Sequence, residues 1–297
     1  MTPKAKARST DWSGWLQAGP TLFVFACFFI LPLAFVVVVS FWDYNEYEII
    51  PAFTLRGYVE SFEGCLTSLP ALCTMLATYL KTLKLCLIVW AATLLIGYTV
   101  AHFLAFHVRS RSWQIGLSLL CTIPFWTSNV IRMIAWIPLL GRNGLVNSGL
   151  VGAGIIDQPL EWLLYSEFSV VLAFIHLFTF FMVVPVLNSL LRIDPRLIEA
   201  ARDGGASGFQ TLWHVILPLA KPGIVIGSIF VITIVMGDFI TIGVMGGQQI
   251  AAAGKIIEVR LNALQFPAAA ANAVVLLGVT FLIILLLGRL VDVRKEL

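Results

Sequence analysis

Two ionisable residues, Arg132 and Asp238, lie inside long apolar stretches of the sequence. A charge at the centre of a membrane helix costs about 2.5–3.5 kcal/mol on insertion scales, so such residues are candidates for function by default. Two explanations stay open: the residues form an ion pair with each other, or Asp238 faces a solute path and attracts a cationic amine. Other residues that could line that path, each with ordinary packing as its alternative role, are Trp126, Thr127, Asn129, Trp136 and Thr241.

The sequence contains none of the residue patterns that chemical catalysis needs. Its one Gly-Lys pair, Gly254-Lys255, lacks the upstream glycine of a phosphate-binding loop. No zinc-ligand spacing and no nucleophile constellation occurs, and the histidines are too dispersed for a metal site. We therefore predict no catalytic residue, no metal site and no cofactor bound by this chain.

The five cysteines fall into two groups. Cys27, Cys86 and Cys121 lie inside apolar segments, where we expect them to pack as small hydrophobic side chains. Cys65 and Cys73 share one loop. A disulfide between them is possible if that loop is extracytoplasmic, but nothing in the spacing requires it.

The composition is that of a membrane protein. Of 297 residues, 59% are apolar and 12% are charged, and the mean hydropathy is +0.94. The net charge of +3 is spread between apolar blocks, which argues against nucleic-acid binding. Since about 20 helical residues cross a hydrocarbon core, we predict an all-α integral membrane protein. Its six predicted transmembrane helices are residues 22–41, 85–106, 115–140, 168–191, 224–245 and 266–287.

The basic residues between these stretches predict the orientation. The set of loops that includes both termini holds twelve Lys and Arg, and the other set holds six. By the positive-inside rule, both termini are cytoplasmic. We predict a cytoplasmic segment at residues 1–21, a single six-helix transmembrane domain at residues 22–291 and a cytoplasmic tail at residues 292–297.

The longest loop on the basic side, residues 192–223, reads as two short helices. Asp194 is a good N-cap and Pro195 fits the first helical position. Gly204 and Gly205 are expected to end the first helix by adopting positive φ. Ser207 can cap a second helix that Pro218 ends. Its apolar residues, predicted on one face, are Phe209, Leu212, Trp213 and Ile216.

This loop has two possible roles. It could lie on the lipid headgroups as an interfacial elbow anchored by Trp213, or it could dock to another protein. Its sequence resembles the EAA loop of ABC-importer permeases: Glu-Ala-Ala, three residues, Gly, nine residues, Ile, one residue, Leu-Pro. Residues 199–201, Gly205, Leu217 and Pro218 fit at that spacing, and Val215 replaces the Ile.

The resemblance implies a type I ABC importer permease fold and a mechanical role for the loop. In that family the loop is the coupling helix, which sits in a groove of a cytoplasmic ATPase dimer. ATP and Mg would be bound by that ATPase. The residues that the resemblance places in the coupling contact are Glu199, Ala200, Ala201, Arg202, Asp203, Gly205 and Ala206.

A narrower resemblance is to spermidine/putrescine-type permeases. It rests on residues 124–136, the Gly-Arg-Asn-Gly-Leu-Val-Asn from Gly141, and Gly237-Asp238-Phe239 with Thr241. It implies a bacterial inner-membrane location, a second and different permease subunit, a periplasmic substrate-binding protein and a cationic solute such as a polyamine. Ile242 and residues 248–265 depart from the pattern, so an opine-like or other organic solute stays open.

Two other classes of function predict different features. A secondary transporter would show inverted sequence halves and broken helices at corresponding positions, and neither is visible in the sequence. An intramembrane enzyme would need a nucleophile with a base, or a metal cluster, at membrane depth. The sequence therefore favours an importer permease.

Overall fold

The computed structural model describes residues 12–45, 48–63, 65 and 73–289, with side chains described from residue 18 onward. Residues 1–11 of the predicted N-terminal segment and the predicted tail at 292–297 lie outside the described residues. The helices, in chain order, are α1 (Trp12–Phe25), α2 (Leu31–Val39), α3 (Arg56–Ser61), α4 (Thr74–Phe106), α5 (Arg111–Trp126), α6 (Asn129–Leu140), α7 (Leu145–Gly152), α8 (Glu167–Leu190), α9 (Pro195–Asp203), α10 (Gly208–Thr211), α11 (Leu217–Gly237), α12 (Ile240–Met245), α13 (Ala253–Asn262) and α14 (Phe266–Gly288).

Shorter elements join these helices. A π-helical turn, Ala26–Ile30, links α1 to α2, and a second, Leu212–Ile216, links α10 to α11. A 3-10 turn, Glu161–Leu163, precedes α8. Two-residue strands β1 (Asp43–Tyr44) and β2 (Ile49–Ile50) pair antiparallel, with Asp43 opposite Ile50. The described part of the chain is thus helical with one small hairpin in the connection before α3.

Five helical segments are long and apolar enough to cross a membrane: Ala18–Val39, Thr74–Phe106, Glu161–Leu190, Gly208–Gly237 and Phe266–Gly288. A sixth span is possible if the bent pair formed by α5 with Asn129–Gly152 is counted as one. The second span begins at Thr74, eleven residues before the predicted start. At 33 residues it is longer than a hydrocarbon core requires.

The core lies where α4, α8 and α11 pack together. Its fully buried side chains include Val89, Phe174, Met182 and Val231. Hydrogen bonds between distant segments supplement this packing: Trp90 Nε1 donates to Ser228 Oγ at 2.8 Å, and Ser169 Oγ donates to the Met245 carbonyl at 2.8 Å. Small residues and hydroxyl groups at helix contacts are typical of membrane bundles, because helices already surrounded by lipid gain little hydrophobic free energy from associating.

The first span has little contact with the rest of the chain. No residue in its most apolar 18-residue stretch is buried within this chain, and α2 packs mainly on α14. Phe28 is 79% exposed and Phe23 is 68% exposed. Apolar surface of this extent must be covered by lipid or by another subunit.

Two of the predicted spans are broken. The third bends by 88° between α5 and α6, with Thr127 in an extended conformation (φ −94°, ψ 148°). The fifth ends as a helix at Gly237, and α12 resumes at Ile240 after an extended Asp238. The predicted spans at 115–140 and 224–245 are therefore each interrupted and are not single continuous helices. Hydropathy could not reveal the breaks, because each is made by two residues within an apolar stretch.

Candidate functional site

The loop predicted to couple to an ATPase folds as a sharply capped helix followed by a turn. The carboxylate of Asp194 accepts a hydrogen bond from the Arg196 N–H at 3.0 Å, and Pro195 occupies the first turn of α9. Gly205 has φ +81°, a conformation that glycine adopts without steric penalty. Gly204 has φ −74°, so the prediction of positive φ holds for Gly205 and is wrong for Gly204.

The charged residues of α9 are free of ion pairs among the described residues. Glu199, Arg202 and Asp203 are exposed, as are Ala200 and Gly205, whereas Ala201 and Ala206 are half-buried. Ile198 packs against the core and anchors the helix. The outer face of α9 therefore presents small side chains together with opposite charges that form no ion pair in the described ranges.

The second half of the loop is not a separate helix. Ser207 and Gln210 form a reciprocal capping box at the start of α10. The helix then passes through the π-helical turn into α11, so the predicted stop at Pro218 is wrong: this proline lies in the first turn of α11, directly after the π-helical turn. The residues predicted to share one apolar face differ in exposure: Ile216 is buried, whereas Trp213 is 59% exposed.

Arg132 and Asp238 do not form an ion pair. Both residues are described, and no contact within 4.0 Å joins their charged groups. They nevertheless lie on neighbouring half-helices, because α6 packs against α12. The structure thus excludes the ion pair, and each of the two charged groups bonds a neighbour in its own segment instead.

Asp238 caps the half-helix that follows it. Its Oδ1 accepts the Thr241 N–H at 2.7 Å, and its Oδ2 accepts the Thr241 hydroxyl at 2.8 Å. Thr241 is 1% exposed. Both carboxylate oxygens are engaged locally, which is the role of an N-cap carboxylate at the positive end of a helix.

The other predicted path residues lie at the bend between α5 and α6. Arg132 Nη2 donates to Asn129 Oδ1 at 2.5 Å, and Thr127 Oγ1 donates to the Pro124 carbonyl at 2.9 Å. Trp136 Nε1 donates to Nδ1 of His176 on α8 at 3.0 Å. Trp126 is 81% exposed. The bend therefore gathers Asn129, Arg132 and Trp136 and leaves Trp126 apart from them.

The Gly-Lys pair that fails as a phosphate-binding loop has a structural role. A Cβ on Gly254 would lie 2.8 Å from the Gly237 carbonyl oxygen, so the start of α13 approaches the break after α11 closely. Lys255 is 9% exposed and pairs with Glu258. The segment at 248–265 thus packs onto the broken fifth span.

A polar cluster surrounds the connection between the first two apolar spans. Arg56 donates to Glu60 at 2.6 Å and to Asp43 at 3.0 Å, and the Tyr44 hydroxyl donates to Glu60 at 2.7 Å. Burial raises the pKa of Glu60, but the hydrogen bonds from Tyr44 and Arg56 outweigh it and hold this pKa below its ordinary value. In the same connection Cys65 and Cys73 form a disulfide.

A family model described as "Binding-protein-dependent transport system inner membrane component" matches residues 93–295, which is more than half of the chain. The chain belongs to this family. It is an inner-membrane permease of a binding-protein-dependent ABC importer, as the EAA spacing and the apolar spans predicted.

Individual relatives agree with this assignment. The spermidine/putrescine transport system permease protein PotB of Escherichia coli (strain K12) is 32% identical over 289 residues, 96% of this chain and 98% of that protein. PotB of Salmonella typhimurium (strain SL1344) is 33% identical over 278 residues, 93% of this chain and 90% of that protein. A chain in the crystal structure of a bacterial alginate ABC transporter with an alginate pentasaccharide-bound periplasmic protein has a TM-score of 0.67, 16% identity and 96% coverage of both chains, which shows the fold.

These relationships decide between the classes of function. The relatives are transport permeases rather than enzymes, and a permease of this family works with an ATPase and a substrate-binding protein. The broken helices do not favour a secondary transporter, because the chain belongs to the family of binding-protein-dependent transport components. Breaks in spans occur wherever irregular backbone is covered by protein or lines a cavity.

The sequence reasoning missed two residues of the site. His176 was assessed only with the other histidines as a possible metal ligand, yet its Nδ1 on α8 accepts a hydrogen bond from Trp136 Nε1 on α6. Lys255 was considered only as part of a phosphate-binding motif, yet it is buried beside the break in the fifth span. A charged or imidazole group in an otherwise apolar helix was the available signal for His176.

Proposed function

We propose that the permease forms half of a solute path driven by a cytoplasmic ATPase dimer through the exposed face of α9. The observation that carries this proposal is the set of charges on α9 that form no ion pair within the part of the chain that the structure describes. The contact residues are Glu199, Ala200, Ala201, Arg202, Asp203, Gly205 and Ala206. Glu199 meets a basic group of the ATPase, and Gly205 makes the turn that lets α9 enter its groove.

The complete importer has six spans in this chain, with α5 to α7 as the bent third, and both termini are cytoplasmic. A second permease subunit of different sequence covers the exposed faces, and a periplasmic binding protein delivers the solute. ATP and Mg are bound by the ATPase. Closure of the ATPase pair draws two coupling loops together and tilts the spans between inward-open and outward-open states.

The solute is a small organic cation such as a polyamine, by analogy with the name of the PotB relatives. The path residues are Asp238, Trp126, Thr127, Asn129, Arg132, Trp136 and Thr241. A second candidate is a solute that carries a carboxylate as well as an amine, as opine-like compounds do. The observation that favours it is that Arg132 has no acidic partner among the described residues.

The coupling proposal is tested with Glu199→Lys. Reversing this charge should repel the basic group on the ATPase, so we expect loss of the co-purifying P-loop ATPase and of ATP-dependent uptake in reconstituted vesicles. Glu161→Lys is the matched control: it reverses an equally exposed charge outside α9 that pairs with Arg142 at 3.5 Å. Retention of the ATPase by Glu199→Lys would contradict the coupling role.

The solute proposal is tested with Asp238→Asn. The amide oxygen can still accept the Thr241 N–H, so α12 should stay capped and assembly should change little. We expect lower uptake of putrescine in vesicles that contain the complete importer, because the negative charge is gone. Unchanged uptake would remove Asp238 from the path.

A further inference from the structure

A cluster of hydrogen-bond donors lies where the first turns of α6 face α8. Asn129, Arg132 and Trp136 belong to α6, and His176 belongs to α8. None of the four is fully buried, although all belong to segments apolar enough to cross the membrane. Polar groups at that depth must face other protein or a water-filled cavity. This face is therefore not exposed to lipid in the assembled importer.

The guanidinium of Arg132 has N–H groups that make no hydrogen bond within the described residues. Within the described residues its side chain donates to Asn129, and its Nε is buried without a hydrogen-bond partner. Asp238, in the segment before the neighbouring half-helix α12, lies beyond ion-pair distance from Arg132 and bonds Thr241 with both oxygens. An arginine presents its N–H groups as a planar fork that fits a carboxylate, so the free side of Arg132 is suited to an anionic group.

His176 supplies a second donor on the same face. An indole N–H can only donate, so the bond from Trp136 requires Nδ1 of His176 to be the acceptor. A neutral imidazole that accepts at Nδ1 carries its proton on Nε2. Nε2–H makes no hydrogen bond within the described residues and is free to donate outward. The start of α6 has no side-chain cap either, which also favours negative charge there.

A cavity of about 300 Å³ lies between α5 and α8, with Ser118, Thr122 and Asn188 among its lining residues. Phe125 and Phe180 stack at 5.2 Å between their ring centres, and in sequence along both helices they come between this cavity and the donor cluster. None of the four cluster residues lines the cavity, so the cluster is a separate polar feature of this face.

From these observations we infer that Arg132 and His176 form a subsite for an anionic group, a carboxylate, on the transported solute. The inference rests on the proposed function, since it assumes that this face lines the solute path, and it names the solute class. It selects the second solute candidate, which carries a carboxylate as well as an amine, because a simple diamine leaves the subsite empty. The other possible occupant, a carboxylate of the second permease subunit, predicts that Arg132 is covered in the complex.

The test is chemical labelling of Arg132 in the complete importer, reconstituted in vesicles and free of nucleotide. Phenylglyoxal modifies free guanidinium groups, and mass spectrometry of the peptide around Arg132 measures the modified fraction. The probes are ornithine and putrescine, which share the amine groups and differ by one carboxylate. Arg132→Lys gives the unlabelled background. Arg109, which is exposed in the loop before α5 and forms no ion pair within the described residues, is a reference arginine on the same chain.

We expect Arg132 to be labelled, ornithine to reduce its labelling several-fold, and putrescine to leave it unchanged. In His176→Phe, ornithine should protect Arg132 less, because one donor is lost. The subsite is overturned if ornithine and putrescine protect Arg132 from labelling equally, or if neither of them protects it. Absence of labelling in the complex, with labelling of the isolated chain, also overturns it and assigns Arg132 to the subunit interface. These outcomes do not depend on ATP-driven uptake, so a failed subsite is distinguishable from a failed coupling role.

Discussion

The coupling elbow, residues 194–211, and the broken-helix region, residues 127–132 with 237–241, use polar groups in opposite ways. In the elbow, backbone groups are satisfied by caps within a few residues, and the charges of α9 form no ion pair with any residue that the structure describes. In the broken-helix region, both carboxylate oxygens of Asp238 are bonded to Thr241, and a segment from later in the chain approaches the backbone at Gly237. The difference indicates that the elbow is built by local sequence, whereas the breaks depend on the rest of the fold.

This comparison predicts its largest effect at Gly254. In Gly254→Ala the new methyl group would meet the Gly237 carbonyl at 2.8 Å, so α13 or the break must shift. Overpacking of this kind costs about 1–3 kcal/mol. We expect a lower midpoint of thermal unfolding for the detergent-solubilised protein, and reduced uptake because the half-helix α12 is displaced.

Gly278→Ala is the control for that substitution. Gly278 lies inside α14, and a Cβ there would meet nothing within 4 Å. Alanine at this position should therefore be neutral or slightly stabilising. If both variants behave alike, the close approach at Gly254 does not support the broken-helix region, and the contrast between the two regions fails.

The second effect is predicted at Gly205 in the elbow. Nothing lies within 4 Å of a Cβ there, so Gly205→Ala introduces no clash, but its φ of +81° is strained for alanine. The left-handed conformation costs about 1–2 kcal/mol for a residue with a side chain. We expect faster hydrogen exchange in residues 200–210 and weaker ATP-dependent uptake, with the unfolding midpoint nearly unchanged.

Gly208→Ala serves as the control in the elbow. Gly208 begins α10, has no positive φ and would place a Cβ in open space. Its exchange rates and uptake should match those of the wild type. A large drop in the unfolding midpoint of Gly205→Ala would show that the elbow supports the whole fold, which would contradict its description as a locally built element.

The same contrast explains how far the sequence could predict the structure. Asp194, Pro195, Gly205 and Ser207 were recognised as helix signals because capping acts over a few residues. The breaks at Thr127 and Asp238 were missed, since an apolar stretch interrupted by two extended residues has the same hydropathy as a continuous helix. The partnership of Trp136 with His176 joins residues 40 positions apart, and no local pattern indicates such a contact.

The smallest effect is predicted for the cap at Ser207. Ser207→Ala removes the acceptor for the Gln210 N–H, which lies 3.3 Å from Ser207 Oγ, at a cost of about 1 kcal/mol. Because α10 continues into the long apolar helix α11, the fold should hold, and only the exchange protection of residues 208–211 should fall. Ser207→Asp keeps an acceptor and should restore that protection. If the amides of residues 208–211 exchange as fast in Ser207→Asp as in Ser207→Ala, long-range packing rather than the cap holds the start of α10. The elbow would then depend on the rest of the fold as much as the breaks do.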